Sequence, residues 1–196
     1  MFNDWIFFIP ALLIALTVHE FSHAYVADQL GDPNPRLNGR LSLNPLKHLD
    51  PMGTIMLLFF HFGWGKPVGI EYSNLRHPRR DAGLISLAGP AANLFLAVIL
   101  ALIIKLLPDF LFTAFLIPLI LINLNLAIFN LLPIPPLDGS KILYSILPLD
   151  WADEYNDFMA SYGTILLILL IVPIGGSSLA SSLIMPLIRG ITAILL

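Results

Sequence analysis

Long runs of apolar residues dominate this 196-residue chain and restrict the folds that it can adopt. Because 57% of the residues are hydrophobic and only 12% are charged, against about 25% charged in an ordinary soluble domain, most of the apolar side chains need contact with lipid. The composition therefore predicts an all-α polytopic membrane protein: one membrane-embedded domain over residues 1–196 with five to six transmembrane segments. The clearest apolar segments cover residues 5–27, 82–107, 110–132, 159–173 and 179–196.

The distribution of basic residues predicts the orientation of the chain. The positive-inside rule places in the cytoplasm the loops that are rich in Lys and Arg. Seven of the ten basic residues lie in the segment 28–81, which we therefore expect on the cytoplasmic side. The first ten residues contain no basic residue and no small-residue cleavage site, so we expect a retained membrane segment and not a removable signal peptide.

Local patterns predict short structures between the spans. Residues 36–43 alternate in character around Asn38-Gly39, which predicts a β-hairpin on the cytoplasmic side. Residues 51–65 are apolar but too few to cross a bilayer, and they favour a re-entrant or interfacial hairpin. Residues 66–72 are expected to be extended. Pro108-Asp109 predicts a tight turn between the second and third spans.

Two histidines and a glutamate interrupt the first apolar run. His19 and His23 are four residues apart and so lie on one face of a helix, with Glu20 between them. Ionisable groups at membrane depth are costly and usually functional. The pattern is typical of metallopeptidases, in which both histidines bind zinc and the glutamate acts on a water molecule. The alternative is a pair of packing histidines in a helical bundle.

A catalytic zinc usually takes a third protein ligand. The chain has no cysteine, so this ligand must supply nitrogen or oxygen. His48 and His77 lie in polar loop sequence, and His61 lies in the short apolar hairpin. Asp138 is the better candidate because it follows residues 133–136, where three prolines in four positions forbid a continuous helix. Capping of the helix that follows is the alternative role for Asp138.

Five segments carry a wider pattern. They are TVHEFSH at residues 17–23, GRLSLNP at 39–45, DPMGT at 50–54, GPAAN at 89–93, and residues 125–139, which end in PIPPLDG. Together they resemble the site-2 protease family of intramembrane zinc metalloproteases, in a short form without a PDZ or CBS domain. The resemblance covers most of residues 15–145, whereas the last fifty residues match only as generic spans.

The resemblance implies a role for each matched residue. It implies that His19, His23 and Asp138 bind one zinc ion per chain, and that Glu20 is the general acid and base. It also implies that several Asn and Pro residues hold the substrate or donate a hydrogen bond to the oxyanion. These residues are Asn93, Asn125, Asn130, Pro133 and Pro135, with Asn130 also expected in a catalytic role.

The implied activity is hydrolysis of peptide bonds in or next to transmembrane helices of membrane-anchored proteins. The expected location is a bacterial or archaeal cell membrane, with the active site nearer the cytoplasmic side. A substrate helix must unwind before cleavage, and residues 40–43 or 66–72 are expected to receive it as an added strand. The net charge of −3 does not suggest a nucleic-acid partner. The alternatives are a transporter or metal carrier, and an inactive relative; the sequence does not predict the oligomeric state.

Overall fold

The computed structural model describes residues 2–60, 63–107, 113–174 and 176–196, without the side chains of residues 2–5, 58–60 and 174. The predicted turn at Pro108-Asp109 and the candidate ligand His61 lie outside these residues. Within them, the chain forms eight α-helices and two very short strands. These are α1 (Phe2–Gln29), α2 (Asn34–Leu37), α3 (Pro51–Phe60), α4 (Pro78–Leu106), α5 (Thr113–Asn130), α6 (Asp138–Ile146), α7 (Leu149–Ile171), β1 (Pro173–Ile174), β2 (Ser177–Ser178) and α8 (Leu179–Leu195).

Helices α1, α4 and α5 form the centre of the bundle, and each packs against the other two. Close approach of α1 is possible because its alanines present almost no side chain to their neighbours. Ile120 and Leu124 of α5 fill the space that remains and are fully buried. Helix α8 packs against α5 on the outer side. The fully buried alanines of α1 are Ala11, Ala15, Ala24 and Ala27.

Three helices in the described part of the chain are long and apolar enough to cross a membrane. They are Ile6–Gln29 within α1, Pro78–Leu106 and Thr113–Asn130. The prediction of five to six spans is not confirmed. Helix α8 has only 17 residues. Helix α7 has 23 residues, but its first half carries four acidic side chains, Asp150, Asp153, Glu154 and Asp157, which oppose burial in lipid. The protein is therefore an integral membrane protein, and its structure is mostly helical.

The hairpin predicted around Asn38-Gly39 is wrong, because these residues end helix α2 instead. Gly39 has a φ of 66°, and its N–H bonds to Arg36 O at 3.0 Å, while Arg40 N–H reaches back to Pro35 O at 2.8 Å. This pair of bonds is a Schellman cap, which needs a left-handed residue just as a hairpin turn does. The sole paired strands among the described residues, β1 and β2, lie between α7 and α8.

Buried hydrogen bonds connect distant parts of the region 30–77, which follows α1. Asp32 is 0% exposed and accepts hydrogen bonds from Glu71 N at 2.8 Å and Asn74 Nδ2 at 2.9 Å. An isolated antiparallel bridge joins Leu49 to Gly65, so the segment that contains α3 begins and ends at the same place. Residues 66–70 follow without helix or strand assignment.

The predicted helix break at residues 133–136 is confirmed: α5 ends at Asn130 and α6 begins at Asp138. Leu137 is the N-cap residue of α6, and no side-chain cap bond forms there, so Asp138 is free of the capping role. A Cβ atom at Gly139 would lie 2.5 Å from Leu132 O, which explains the glycine at this position. Helix α6 packs on α4, so Asp138 lies inside the bundle.

Candidate metal centre

Three ionisable side chains from two distant parts of the chain meet in the bundle. Nε2 of His19 lies 3.1 Å from Oδ2 of Asp138, and Nε2 of His23 lies 3.2 Å from the same oxygen. All three donor atoms are within 4.8 Å of one another. Both histidines are buried, and the Asp138 side chain is 16% exposed, so one side of the group is open. The geometry fits a single cation with room for a further ligand.

Hydrogen bonds on the far side of each imidazole fix which nitrogen faces this group. Nδ1 of His23 donates to Ile85 O at 2.7 Å, and Nδ1 of His19 donates to Asn93 Oδ1 at 2.6 Å. Because both partners are carbonyl oxygens that only accept, the protons lie on Nδ1 and the Nε2 lone pairs are left for a metal. This arrangement is typical of histidines that bind zinc.

Asn93 belongs to a buried polar network that reaches from α4 to α1 and α5. Its Nδ2 donates to Ala15 O at 2.9 Å and to Asn123 Oδ1 at 2.7 Å, and Asn123 Nδ2 donates to Leu119 O at 2.7 Å. Both asparagines are 0% exposed. The carboxamide of Asn93 is therefore fully used and closed to a substrate. The sequence analysis did not include Asn123. The available signal was an amide side chain within an otherwise apolar helical run.

Gly89 gives the two imidazoles the space that they occupy. A Cβ atom at this position of α4 would lie 2.7 Å from Cε1 of His19 and 2.7 Å from Cε1 of His23. Real Cβ atoms essentially never approach other atoms so closely. Close packing of α4 against the histidines thus requires glycine here, and its neighbour Pro90 is also fully buried.

Glu20 lies on the same helix turn as the histidines but outside their cluster of donor atoms. Its side chain is 13% exposed, and Oε2 is 3.9 Å from Nη2 of Arg40. Arg40 follows the cap of α2 and is buried. The carboxylate is therefore positioned between the histidine helix and the loop that begins at Arg40.

The other predicted site residues lie around the break between α5 and α6. Asn130 is half-buried and donates to Leu126 O at 2.9 Å, within its own helix. Pro133 O accepts a hydrogen bond from Tyr155 at 3.0 Å, and Pro135 packs over Gly163 of α7. Asn125 is exposed on the wall of a cavity of about 360 Å³. The structure thus brings the three predicted metal ligands together. The four residues of this paragraph have their described contacts outside that cluster.

Two imidazoles and a glutamate on a membrane-spanning helix, together with a carboxylate at the start of α6, are typical of an integral membrane metallopeptidase. Comparison with known proteins agrees. The model of peptidase family M50 matches residues 107–170. YwhC of Bacillus subtilis (strain 168) is 39% identical over 180 residues, which are 86% of this chain and 82% of YwhC.

Rip2 of Mycolicibacterium smegmatis is 38% identical over 142 residues, and Rip2 of Mycobacterium tuberculosis is 37% identical over 150 residues. Each of these matches spans 55% of the relative's length. All three relatives carry the name "Putative zinc metalloprotease". No solved structure matches the chain.

The chain belongs to peptidase family M50 and is a zinc metalloprotease of the site-2 protease type. The resemblance that the sequence motifs indicated is confirmed, and so are the enzyme class and the zinc cofactor.

Proposed function

We propose that this enzyme hydrolyses peptide bonds in or next to the transmembrane helices of membrane-anchored proteins. The observation that carries the proposal is the convergence of His19, His23 and Asp138 between helices that are apolar enough to span a membrane. A peptidase that carries two of its donor atoms on such a helix meets its substrate where water is scarce. Membrane-anchored proteins with a transmembrane helix can present a peptide bond there.

The three clustered side chains are the proposed zinc ligands, through Nε2 of both histidines and Oδ2 of Asp138. A bound zinc ion would polarise the scissile carbonyl and lower the pKa of a water molecule beside it. Glu20 takes a proton from the attacking water on its carboxylate and delivers it to the departing amide nitrogen. Asn130, at the end of α5, is the proposed donor to the oxyanion.

Asn93 receives a different role from the substrate contact that the resemblance suggested. It is 0% exposed, and its carboxamide already makes three hydrogen bonds. We therefore assign it to the orientation of His19, whose Nδ1–H it accepts. Partners of this kind set the tautomer and ring angle of a metal-binding histidine.

The substrate lies across two surfaces in this proposal. Residues 66–70 belong to no helix or strand, and their backbone can pair with an unwound substrate as an added strand. The 360 Å³ cavity between α1, α5 and α8 receives side chains of the substrate. Asn125 on its wall offers an amide to a carbonyl freed by unwinding, while Pro133 and Pro135 contact the substrate at the break between α5 and α6.

Two features support an arrangement of the chain in the membrane. The bridge between Leu49 and Gly65 returns residues 49–65 to their starting side, which supports a re-entrant segment. Seven of ten basic residues lie in stretch 28–81, which supports a cytoplasmic location for that stretch and for the nearby metal site. We assign the protein to a bacterial or archaeal cell membrane, as a single embedded domain.

The test compares the wild-type enzyme with Glu20→Gln on a defined probe. The probe is a fluorescein-labelled peptide with one span of about 20 Leu and Ala residues, interrupted by Gly-Gly near one end, in detergent micelles. We expect Glu20→Gln to keep its zinc and to cleave about 10²–10⁴-fold more slowly. Glu154→Gln, the same change at an exposed position of α7, is the matched control. Cleavage by Glu20→Gln at the wild-type rate would contradict the role of Glu20, and a wild type that leaves the probe intact would refute the proposed substrate class.

The added strand has its own test. Proline cannot donate a backbone hydrogen bond, so Gly69→Pro and Ile70→Pro between them block either register of pairing. We expect at least one of the two variants to retain zinc and lose cleavage of the probe. Two variants that both cleave normally would eliminate residues 66–70 as the docking edge.

A further inference from the structure

The Arg40 side chain is buried, and its direct hydrogen-bond partners are uncharged. It is only 6% exposed, although it belongs to a loop. One Nη donates to Lys47 O and the other to Lys66 O, and Nε has no partner among the described residues. A buried guanidinium is costly unless a charge of opposite sign lies near it, and its rigid planar shape fixes the directions of its hydrogen bonds.

The carboxylate that the guanidinium faces is that of Glu20, with 3.9 Å between Nη2 and Oε2. Burial lowers the pKa of Arg40 below its usual value, and the negative charge of Glu20 offsets only part of this lowering. The guanidinium remains charged throughout the physiological range because the usual pKa of arginine is so high. A fixed positive charge therefore stands beside the residue that is proposed to move the proton.

The carbonyl contacts join two loop segments to this charge. Lys47 precedes His48, which is 0% exposed and whose ring donates to Ser42 O at 2.6 Å, so the loop around Arg40 is itself closed by a buried bond. Lys66 begins the stretch 66–70, and its N–H donates to His48 O at 2.8 Å. One side chain thus touches the loop, the first residue of that stretch and the carboxylate.

We propose that Arg40 is a positioning residue that holds the Glu20 carboxylate in its working orientation and fixes residues 66–70 at a set distance from it. The inference rests on the proposed function, since it assigns Glu20 to proton transfer and residues 66–70 to substrate pairing. It predicts two separable effects. The charge of Arg40 acts on the chemical step through Glu20, and its fork of two carbonyl bonds acts on substrate binding through Lys66.

The experiment measures kcat, KM and zinc content for Arg40→Gln and Arg40→Lys on the fluorescein-labelled probe. Arg40→Gln loses the charge, and we expect kcat to fall about tenfold or more at unchanged zinc content. Arg40→Lys keeps a charge near Glu20 but cannot reproduce the planar fork, so we expect kcat within about threefold of wild type and a KM raised about threefold or more. Arg36→Gln is the matched control, because Arg36 is 67% exposed and pairs with Asp28.

The outcomes separate the two proposals. If Arg40→Gln cleaves the probe as fast as the wild type does, the inference about Arg40 is overturned, while the proposed function stands. An Arg40→Lys enzyme that retains zinc but loses kcat as fully as Arg40→Gln also overturns it, because charge would then not be what orients Glu20. If Arg40→Gln does not fold, the split between kcat and KM in Arg40→Lys decides. A wild type that leaves the probe intact overturns the proposed function and the inference with it.

Discussion

Replacement of Asn93 by leucine tests how the polar network prepares His19. Leucine has the branched shape and the number of side-chain heavy atoms of asparagine, so the change removes the hydrogen bonds but fills the same place in the bundle with a somewhat larger side chain. It deletes the acceptor 2.6 Å from Nδ1 of His19, and it also deletes the donors to Ala15 O and Asn123 Oδ1. The first loss acts on the metal site, whereas the other two act on the stability of the bundle.

The two effects have different magnitudes. Loss of the partner of a metal-binding histidine typically weakens metal affinity by about 10–100-fold, which corresponds to about 1.4–2.7 kcal/mol. Loss of two buried hydrogen bonds costs about 1 kcal/mol each in unfolding free energy. Asn93→Asp keeps an oxygen for His19 but loses both donors, so it should lower stability while it keeps zinc affinity close to that of the wild type.

Zinc competition with a calibrated chelator, in detergent, measures the affinity of each variant. Asn125→Leu is the control, since it changes an exposed amide of α5 that does not contact the histidines. We expect a Kd for zinc that is raised about 10–100-fold in Asn93→Leu and unchanged in Asn125→Leu. A Kd within about twofold of wild type for Asn93→Leu would refute the claim that Asn93 prepares His19 for the metal.

Three further perturbations test the packing around the site. Gly89→Ala places a methyl group 2.7 Å from Cε1 of each imidazole, so zinc content and cleavage should both be lost. Gly69→Ala, which meets no atom within 4 Å, should retain zinc, and zinc retained by Gly89→Ala would refute the steric argument. Asp138→Asn replaces a charged donor by a neutral amide, and zinc affinity should fall at least about tenfold in the same chelator assay; an unchanged affinity would remove Asp138 from the ligand set. Asp32→Asn turns an NH₂ group towards the donors Glu71 N or Asn74 Nδ2, and should lower the unfolding free energy by about 3 kcal/mol without loss of zinc affinity; an unchanged Tm would contradict the structural role of Asp32.

Local sequence patterns predicted the parts of this structure that depend on neighbours along the chain. The apolar runs gave helices α1, α4 and α5, and the prolines at 133–136 gave the break that precedes Asp138. The four-residue spacing of His19 and His23 put both imidazoles on one face of α1. Asp138 could be predicted as the third metal ligand because it is a lone carboxylate at a helix break, and an acid at membrane depth needs a partner.

Features that depend on residues distant in sequence could not be predicted in this way. Asn93 is 74 residues from His19, and its neighbour Asn123 enters the network only through the packing of α4 on α5. The contact of Arg40 with Glu20 is also created by the fold. The hairpin prediction failed because a glycine with positive φ serves a helix cap as well as a turn, and Asn38-Gly39 alone does not distinguish the two.

The most direct test of the account is the position of zinc in the protein. Anomalous scattering at the zinc edge, from crystals of the zinc-loaded enzyme, locates the ion without any assumption about its ligands. We expect one peak per chain, about 2.0–2.2 Å from Nε2 of His19, Nε2 of His23 and a carboxylate oxygen of Asp138. A peak bound by other side chains, or one that leaves Asp138 out of reach, would contradict it.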